Sequence, residues 1–217
     1  MDPVAQTMEL QVLDLLNCNY DPHNLTEPLK DLFINCTHLT ELNIGMLGSG
    51  CVNELLDPQF QALVDNLTPT ILKVNFGARY NLQDEHVKKL VNRCNKITHL
   101  NLICTSITNA SVHSIIEQLK ASLEELDVSD THVDFATLLR LKSMPALKTL
   151  ICLDDDQGEN IENLKQQLPH IRINEEEDKD IIAEPSSFYY PFKIYSDESS
   201  VNDWIWEIRA KEQDLFW

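Results

Sequence analysis

Three side chains of this 217-residue chain have the types that acid–base chemistry uses: Glu41, His99 and Asp127, two carboxylates and an imidazole. Six cysteines add possible nucleophiles or metal ligands. Asp154-Asp155-Asp156 offers carboxylate oxygens of the kind Mg²⁺ and Ca²⁺ prefer, and Gly45-Met-Leu-Gly48-Ser-Gly50 offers a loop that could cradle phosphate. Spacing argues against each of these. No CxxC pair occurs, and none of the seven His falls in an HExxH or HxxxH arrangement, so neither structural zinc nor a metalloprotease is signalled. The glycine segment lacks the Gly-Lys-Ser/Thr ending of a phosphate loop and the spacing of a dinucleotide fingerprint, and reads as a flexible insertion at the edge of a longer unit. Three adjacent carboxylates cannot all face one ion, so the Asp run reads as a solvated acidic loop. No metal, no cofactor and no catalytic residue is expected.

The elements that would position these residues follow from a repeated L-x-x-L-x-L line. The copies are Leu10-Gln-Val-Leu13-Asp-Leu15, Leu39-Thr-Glu-Leu42-Asn-Ile44, Ile71-Leu-Lys-Val74-Asn-Phe76, Ile97-Thr-His-Leu100-Asn-Leu102, Leu123-Glu-Glu-Leu126-Asp-Val128 and Leu147-Lys-Thr-Leu150-Ile-Cys152, with a shorter seventh at Leu168-Pro-His-Ile171-Arg-Ile173. Their first positions are 29, 32, 26, 26, 24 and 21 residues apart, within the leucine-rich-repeat range except for the longer second unit. Between the lines, apolar residues recur at i, i+3, i+4 and i+7, the one-face pattern of a helix. Leu29/Leu32/Phe33/Cys36, Phe60/Leu63/Val64/Leu67, Val87/Leu90/Val91/Cys94 and Val112/Ile115/Ile116/Leu119 are intact, while Phe135/Leu138/Leu139 and Ile161/Leu164/Leu168 are partial. One short strand and one helix per unit predict an α/β fold: a right-handed solenoid over residues 1–174, of about six to seven units, with a parallel sheet on the concave face and helices on the convex face.

Side chains alternate along a strand, so the residues between the apolar positions point onto the concave sheet. That face holds Asp14, Glu41 and Asn43, Lys73 and Asn75, His99 and Asn101, Glu125, Asp127 and Ser129, then Thr149 and Ile151. These are the candidate partner-binding residues. The column Asp14, Asn43, Asn75, Asn101, Asp127 suits hydrogen bonding to a protein or peptide, and Asn or Asp at this phase is equally a feature of the repeat pattern itself. Strands lie about 4.8 Å apart, so an acid and an imidazole two repeats apart are separated by roughly 10 Å, too far for a proton relay. A non-catalytic protein is expected.

Charge and composition narrow the partners. Lys and Arg number 17 against 35 Asp and Glu, a formal net charge of −18, which repels nucleic-acid phosphates and anionic membrane surfaces. No run of 18 apolar residues occurs, and residues 1–14 show no basic start followed by an apolar stretch. Six cysteines without a secretory signal read as reduced thiols in the cytoplasm or nucleus, and the glycosylation tripeptides at Asn24, Asn35, Asn66 and Asn109 read as chance. Cys36 and Cys94 fall at one repeat phase, three residues before a strand line, and Cys18 at the repeat position usually filled by Asn or Cys, so all three read as packing residues. Cys51, Cys104 and Cys152 are less clearly placed.

Residues 175–217 form a second region, an acidic and aromatic-rich tail. Residues 151–217 carry 17 acidic against 6 basic side chains, and nine of the fifteen aromatics lie beyond residue 185. Such rings either pack back on the last repeats or stay available as partner anchors, with Tyr189, Tyr190, Trp204 and Trp206 the candidates. Packing on the repeats is the favoured expectation. Trp204, Trp206 and Ile208 alternate as in a strand, while Trp204 and Ile208 also share a helical face, so both local structures stand.

The Cys-x-x-Leu/Ile-x-x-Leu-x-Leu units at Cys36 to Ile44 and Cys94 to Leu102, with their period near 26, resemble the cysteine-containing repeats of the F-box/LRR proteins over about residues 8–174. Leu168-Pro-His-Ile171-Arg-Ile173-Asn174, followed by Ile205-Trp206-Glu207-Ile208, resembles the last repeat and returning tail of one member. The resemblance implies the substrate-recognition subunit of an SCF-type ubiquitin ligase, in which the F-box docks on the cullin adaptor and the repeats hold the substrate. Only about seven residues precede the first repeat, too few for the helical bundle of an F-box, so the expectation is a fragment or shortened relative that keeps the repeat half; ligase recruitment does not carry over residue by residue, and the cullin adaptor stays among the candidate partners. The alternative is a ubiquitin-independent adaptor or inhibitor whose acidic surface holds a basic protein.

Overall fold

The computed structural model describes residues 9–15, 26–45, 57–153 and 158–175. Within them the L-x-x-L-x-L lines become seven parallel strands in chain order, β1 (Val12–Asp14), β2 (Glu41–Asn43), β3 (Lys73–Asn75), β4 (His99–Asn101), β5 (Glu125–Asp127), β6 (Thr149–Ile151) and β7 (Arg172–Ile173). Their register is the one the repeat predicts: Leu13, Leu42, Val74, Leu100, Leu126, Leu150 and Ile173 lie side by side, all buried. Three residues per strand make few ladder bonds, and a second device supplements them. One carbonyl accepts from two successive N–H groups of the next unit, as Thr40 O does from Leu72 and Lys73, Leu72 O from Thr98 and His99, Thr98 O from Glu124 and Glu125, and Glu124 O from Lys148 and Thr149. Backbone donors that three-residue strands would leave open are thereby satisfied.

The crossovers are α1 (Thr26–Asn35), α2 (Asp57–Asn66), α3 (Asp84–Arg93), α4 (Asn109–Leu119), α5 (Phe135–Leu138) and α6 (Gly158–Gln167). They bury the faces the periodicity marks. Phe60, Leu63 and Val64 of α2, Val87, Leu90 and Val91 of α3, and Val112, Ile115 and Leu119 of α4 close over the inward leucines in one continuous core. Ile116 sits at its edge, partly buried. Where the pattern weakens to Phe135/Leu138/Leu139, the α-helix shrinks to one turn and a 3-10 helix (Leu139–Ser143) completes the crossover, shortening this unit to 24 residues. Past the strand, Ala78, Cys104 and Asp130 occupy one repeat phase and turn the chain with φ of 56°, 52° and 51°. No glycine occupies those three positions, so each carries a left-handed cost of about 1–2 kcal/mol.

Capping residues link neighbouring crossovers. Asp84, in the first turn of α3, accepts from Thr108 N (2.9 Å), Thr108 Oγ1 (2.7 Å), Ser111 N (3.1 Å) and Ser111 Oγ (2.5 Å) at the start of α4. Asn109 and Asp134 exchange two bonds one unit further on: Asn109 Nδ2 donates to Asp134 Oδ2 (2.7 Å) and Asp134 N to Asn109 Oδ1 (2.9 Å). His86 is buried against Phe60, and its Nδ1 accepts from Gln83 N. The ring proton must then lie on Nε2, which donates to Asp57 Oδ1 at 3.0 Å. The helices are thus pinned unit to unit at their N-terminal ends. The glycine segment beyond Gly45, the Asp154–Asp156 run, Cys18, Cys51 and the anchors Tyr189, Tyr190, Trp204 and Trp206 lie outside the described residues.

Candidate partner-binding face

Two rows of side chains cross the concave sheet. The first comprises Val12, Glu41, Lys73, His99, Glu125, Thr149 and Arg172, and the second Asp14, Asn43, Asn75, Asn101, Asp127 and Ile151. All the strand residues expected on this face therefore do share it, and Ser129 follows just beyond β5. Their accessibility differs from the expectation. Asn43 and Asn75 are buried, as is Ser129, while Asn101 and Asp127 are half-buried.

The reason is a local hydrogen bond repeated in four units. Asn43 Oδ1 accepts from Gly45 N (3.1 Å), Asn75 Oδ1 from Gly77 N (2.8 Å), Asn101 Oδ1 from Ile103 N (3.0 Å) and Asp127 Oδ1 from Ser129 N (3.0 Å). Each side chain closes a turn onto the N–H two residues ahead, the habit that favours Asn and Asp in turns. Asn174 varies the theme across units, its Oδ1 accepting from Cys152 N at 2.8 Å. Ser129 is spent similarly: its Oγ accepts from Leu153 N at 3.0 Å. This corrects the expectation of an open polar column. Asn43, Asn75 and Ser129 hold the backbone at the strand exits, and the accessible chemistry lies in Glu41, Lys73, His99, Glu125 and Arg172 of the first row and Asp14, Asn101 and Asp127 of the second.

That row is paired across strands. Lys73 Nζ meets Glu41 Oε1 at 3.0 Å, His99 Nε2 faces Glu125 Oε2 at 3.9 Å, and Arg172 Nη2 donates to Thr149 Oγ1 at 2.9 Å. One residue upstream, Lys148 Nζ meets Glu124 Oε2 at 2.6 Å, and that bond holds the Glu124 carboxyl below its ordinary range. The Glu124–Lys148 and Thr149–Arg172 pairs had not been picked out from sequence. The signal was present in the equal register of the repeat lines, one unit apart.

His99 and Asp127 are the two perturbed groups here. Thr98 Oγ1 gives its proton to Leu72 O (3.1 Å), so at 2.9 Å it can only accept from His99 Nδ1–H. Neutral His99 then turns the bare lone pair of Nε2 toward Glu125. Burial pushes His99 below its usual value of 6.5; Glu125 opposes that shift, Lys73 adds to it, and Glu124 and Glu41 oppose it. Burial also pushes Asp127 up to about 6, against the Ser129 hydrogen bonds and with the help of Glu125 and Asp130.

No proton relay is assembled. Lys73 stands between Glu41 and His99 and engages Glu41, and His99 and Asp127 sit on different rows of adjacent strands. The described thiols are unsuited to nucleophilic work. Burial raises Cys36 and lifts Cys94, Cys104 and Cys152 to about 12, with Asp130 and Asp127 adding to the effect on Cys104 and Asp127 to that on Cys152. Cys36 and Cys94 sit in the core as the repeat phase implied, Cys94 Sγ against Thr68 O at 3.5 Å. Among the described residues no group of three His, Cys, Asp or Glu could hold a metal ion, and no helix is long and apolar enough to cross a membrane.

A seven-stranded parallel sheet built one strand per unit, backed by a helix per unit and faced by rows of polar side chains, defines an α/β leucine-rich-repeat solenoid of the protein-interaction kind. The chain matches the SKP2 LRR domain family over residues 1–213 and belongs to that family. Among solved structures it is similar to leiomodin-1 actin-binding site 2 (21% identity, 69% of this chain and 90% of that one, TM-score 0.46). It is also similar to the leucine-rich repeat-containing protein LegL7 from Legionella pneumophila (19%, 68% and 51%, 0.44) and the tropomodulin C-terminal domain of Caenorhabditis elegans (9%, 78% and 93%, 0.43).

Proposed function

We propose that this chain is a non-catalytic recognition module that holds a protein substrate on its concave sheet, as the substrate-binding part of an SCF-type E3 ubiquitin ligase acting in ubiquitin-dependent degradation in the cytoplasm or nucleus. The observation that carries the reading is membership of the SKP2 LRR domain family, since in F-box/LRR ligases the repeats select the substrate. The concave face supports it locally: Glu41, Lys73, His99, Glu125, Thr149 and Arg172 stand in register from β2 to β7 as a strip of charged and polar groups on a fixed sheet. The tail beyond residue 175 is assigned to cover the last repeats, which would otherwise leave β7 as an open sheet edge.

Affinity purification of the tagged chain from cell extract, run beside an Asn101→Arg variant, tests this. Recovery of the cullin adaptor and ubiquitin machinery together with a substrate that the variant loses is the expected result. Recovery of one basic protein without that machinery would replace the reading with a ubiquitin-independent adaptor or inhibitor, for which the −18 net charge speaks. Binding undiminished in Asn101→Arg would remove the concave face from either account.

A further inference from the structure

We propose that the concave face is proton-responsive, with His99 and Asp127 on neighbouring strands changing its charge between pH 7.5 and 5.0 and so weakening its hold on a positively charged partner segment at acid pH. The proposal rests on the concave-face reading above.

The geometry supplies the device. His99 and Asp127 stand on the same face of β4 and β5, two residues apart along the strands: His99 is in register with Glu125, and Asp127 with Asn101. Each is half-buried, so charging either one is disfavoured unless a neighbour compensates. The proton on Nδ1 of neutral His99 is fixed by Thr98 Oγ1, which leaves Nε2 facing Glu125 Oε2 at 3.9 Å without a hydrogen to share. Protonating Nε2 converts that approach into an ion pair and cancels the Glu125 charge. Lys73 and Glu41 face the ring from β3 and β2, already paired with each other at 3.0 Å, and Glu124, paired with Lys148, flanks it on the β5 side.

Around Asp127 the charged and titratable neighbours are Glu125 and Asp130 on its own chain segment, Cys104 after β4 and Cys152 after β6; its register partners Asn101 and Ile151 are uncharged. No cation among these compensates its carboxylate. Burial therefore raises the Asp127 carboxyl to about 6, and burial likewise holds His99 below 6.5. As pH falls, Asp127 loses its negative charge while His99 gains a positive one. The two changes have the same electrostatic sign. With His99 neutral and Asp127 ionised, no cation among the described residues offsets the carboxylates in the middle of the face; once both have taken up a proton, Asp127 is neutral and Glu125 faces an imidazolium.

The test uses the full-length chain with isotopic labels. The pH titrations of the Asp127 carboxyl carbon and the His99 ring proton are followed by NMR, and binding of a hexalysine peptide is followed through the β4 and β5 amide shifts at low salt. Asp127 should titrate near 6, the His99 midpoint should fall below 6.5, and the peptide should bind β4 and β5 about three- to tenfold more weakly at pH 5.0 than at 7.5. His99→Gln combined with Asp127→Asn should abolish that pH dependence, because neither replacement titrates while the amide oxygen still accepts from Ser129 N. Ordinary midpoints for both groups, or binding at β4 and β5 with the same affinity at both pH values, would overturn the device and leave the concave-face reading standing. Shifts confined to residues off the sheet would overturn both.

Discussion

Removing the Asp84 carboxylate is predicted to loosen the solenoid between its third and fourth units. The carboxylate accepts four hydrogen bonds from Thr108 and Ser111, two of them from backbone N–H groups at the helix start, Ser111 N being shared with Thr108 O at 3.1 Å. Loss of a helix cap alone costs about 1 kcal/mol, and a hydrogen bond to a charged group contributes about 1.5–3 kcal/mol. The four bonds share one carboxylate and cannot simply be added, so Asp84→Ala should lower the unfolding free energy by about 3 kcal/mol at pH 7. Burial alone would raise the Asp84 carboxyl, but the bonds from Ser111 and Thr108 outweigh it and hold the group below its ordinary 3.8. With the folded value depressed, the stabilisation is complete above 3.8 and fades as pH drops through the folded value. Urea titrations of wild type and Asp84→Ala should therefore differ by about 3 kcal/mol at pH 7, with the gap narrowing as pH falls below 3.8 and m unchanged. A cycle with Ser111→Ala should give a coupling of about 1 kcal/mol. A gap at pH 7 under about 0.5 kcal/mol, or no coupling, would refute the clamp.

Other perturbations separate packing, backbone and charge. Asp127→Asn keeps the acceptor for Ser129 N and removes a carboxylate raised to about 6, so wild type should lose about 1–3 kcal/mol relative to the variant as pH rises from 4 to 7, read by urea midpoints along a pH series. Gly77→Ala would place a Cβ 2.7 Å from Ile103 Cγ2 and 3.1 Å from Asn75 Oδ1, and a loss of about 1–3 kcal/mol is expected in thermal melts. Cys104→Gly relieves a φ of 52° and should stabilise by about 0.5–1 kcal/mol after the extra freedom of the unfolded glycine is subtracted. Iodoacetamide at pH 7.5 should leave Cys36, Cys94, Cys104 and Cys152 unmodified in the folded chain and label all four in denaturant, as mapped by mass spectrometry.

The architecture was legible in the sequence because two periods repeat together, and each repeat restates the register: once Leu42, Val74, Leu100 and Leu126 are aligned by eye, they are aligned in the sheet. The face was only half legible. Alternation assigned Asn43, Asn75, Asn101 and Asp127 to the concave side correctly, but period two describes direction and not exposure. A side chain two residues before a turn N–H folds down onto its own backbone, which the strand pattern does not encode. Glu41 and Lys73 face each other because equal phase one unit apart means adjacency, so that pair was readable in principle. Asp57 with His86 was not, since 29 residues and two elements of different type separate them, and only the packed helices bring them to 3.0 Å. The short last unit hid Arg172, whose partner Thr149 belongs to the preceding strand.

The distribution of charge constrains how such a face recognises anything. The chain carries −18, yet residues 1–150 hold 11 basic against 18 acidic side chains, and on the sheet Glu41 with Lys73 and Glu124 with Lys148 each find a partner one strand away. Exposed pairs of this kind contribute only about 0–1 kcal/mol each to stability. Their greater effect is on binding, because a partner must either displace a weak internal pair or present groups that fit around it, and a misplaced charge meets one of its own sign within a strand spacing. Long-range attraction from the acidic surface is screened within about 10 Å at 0.1 M salt and speeds encounter without reading shape. Discrimination on the sheet then falls to the positions where pairing is incomplete. Among the described residues no cation offsets Asp127, and His99 meets Glu125 at a distance too long for a hydrogen bond. Replacing Asp127 by Asn or His99 by Gln should therefore change which partner is preferred more than it changes the rate at which acidic steering brings partners in.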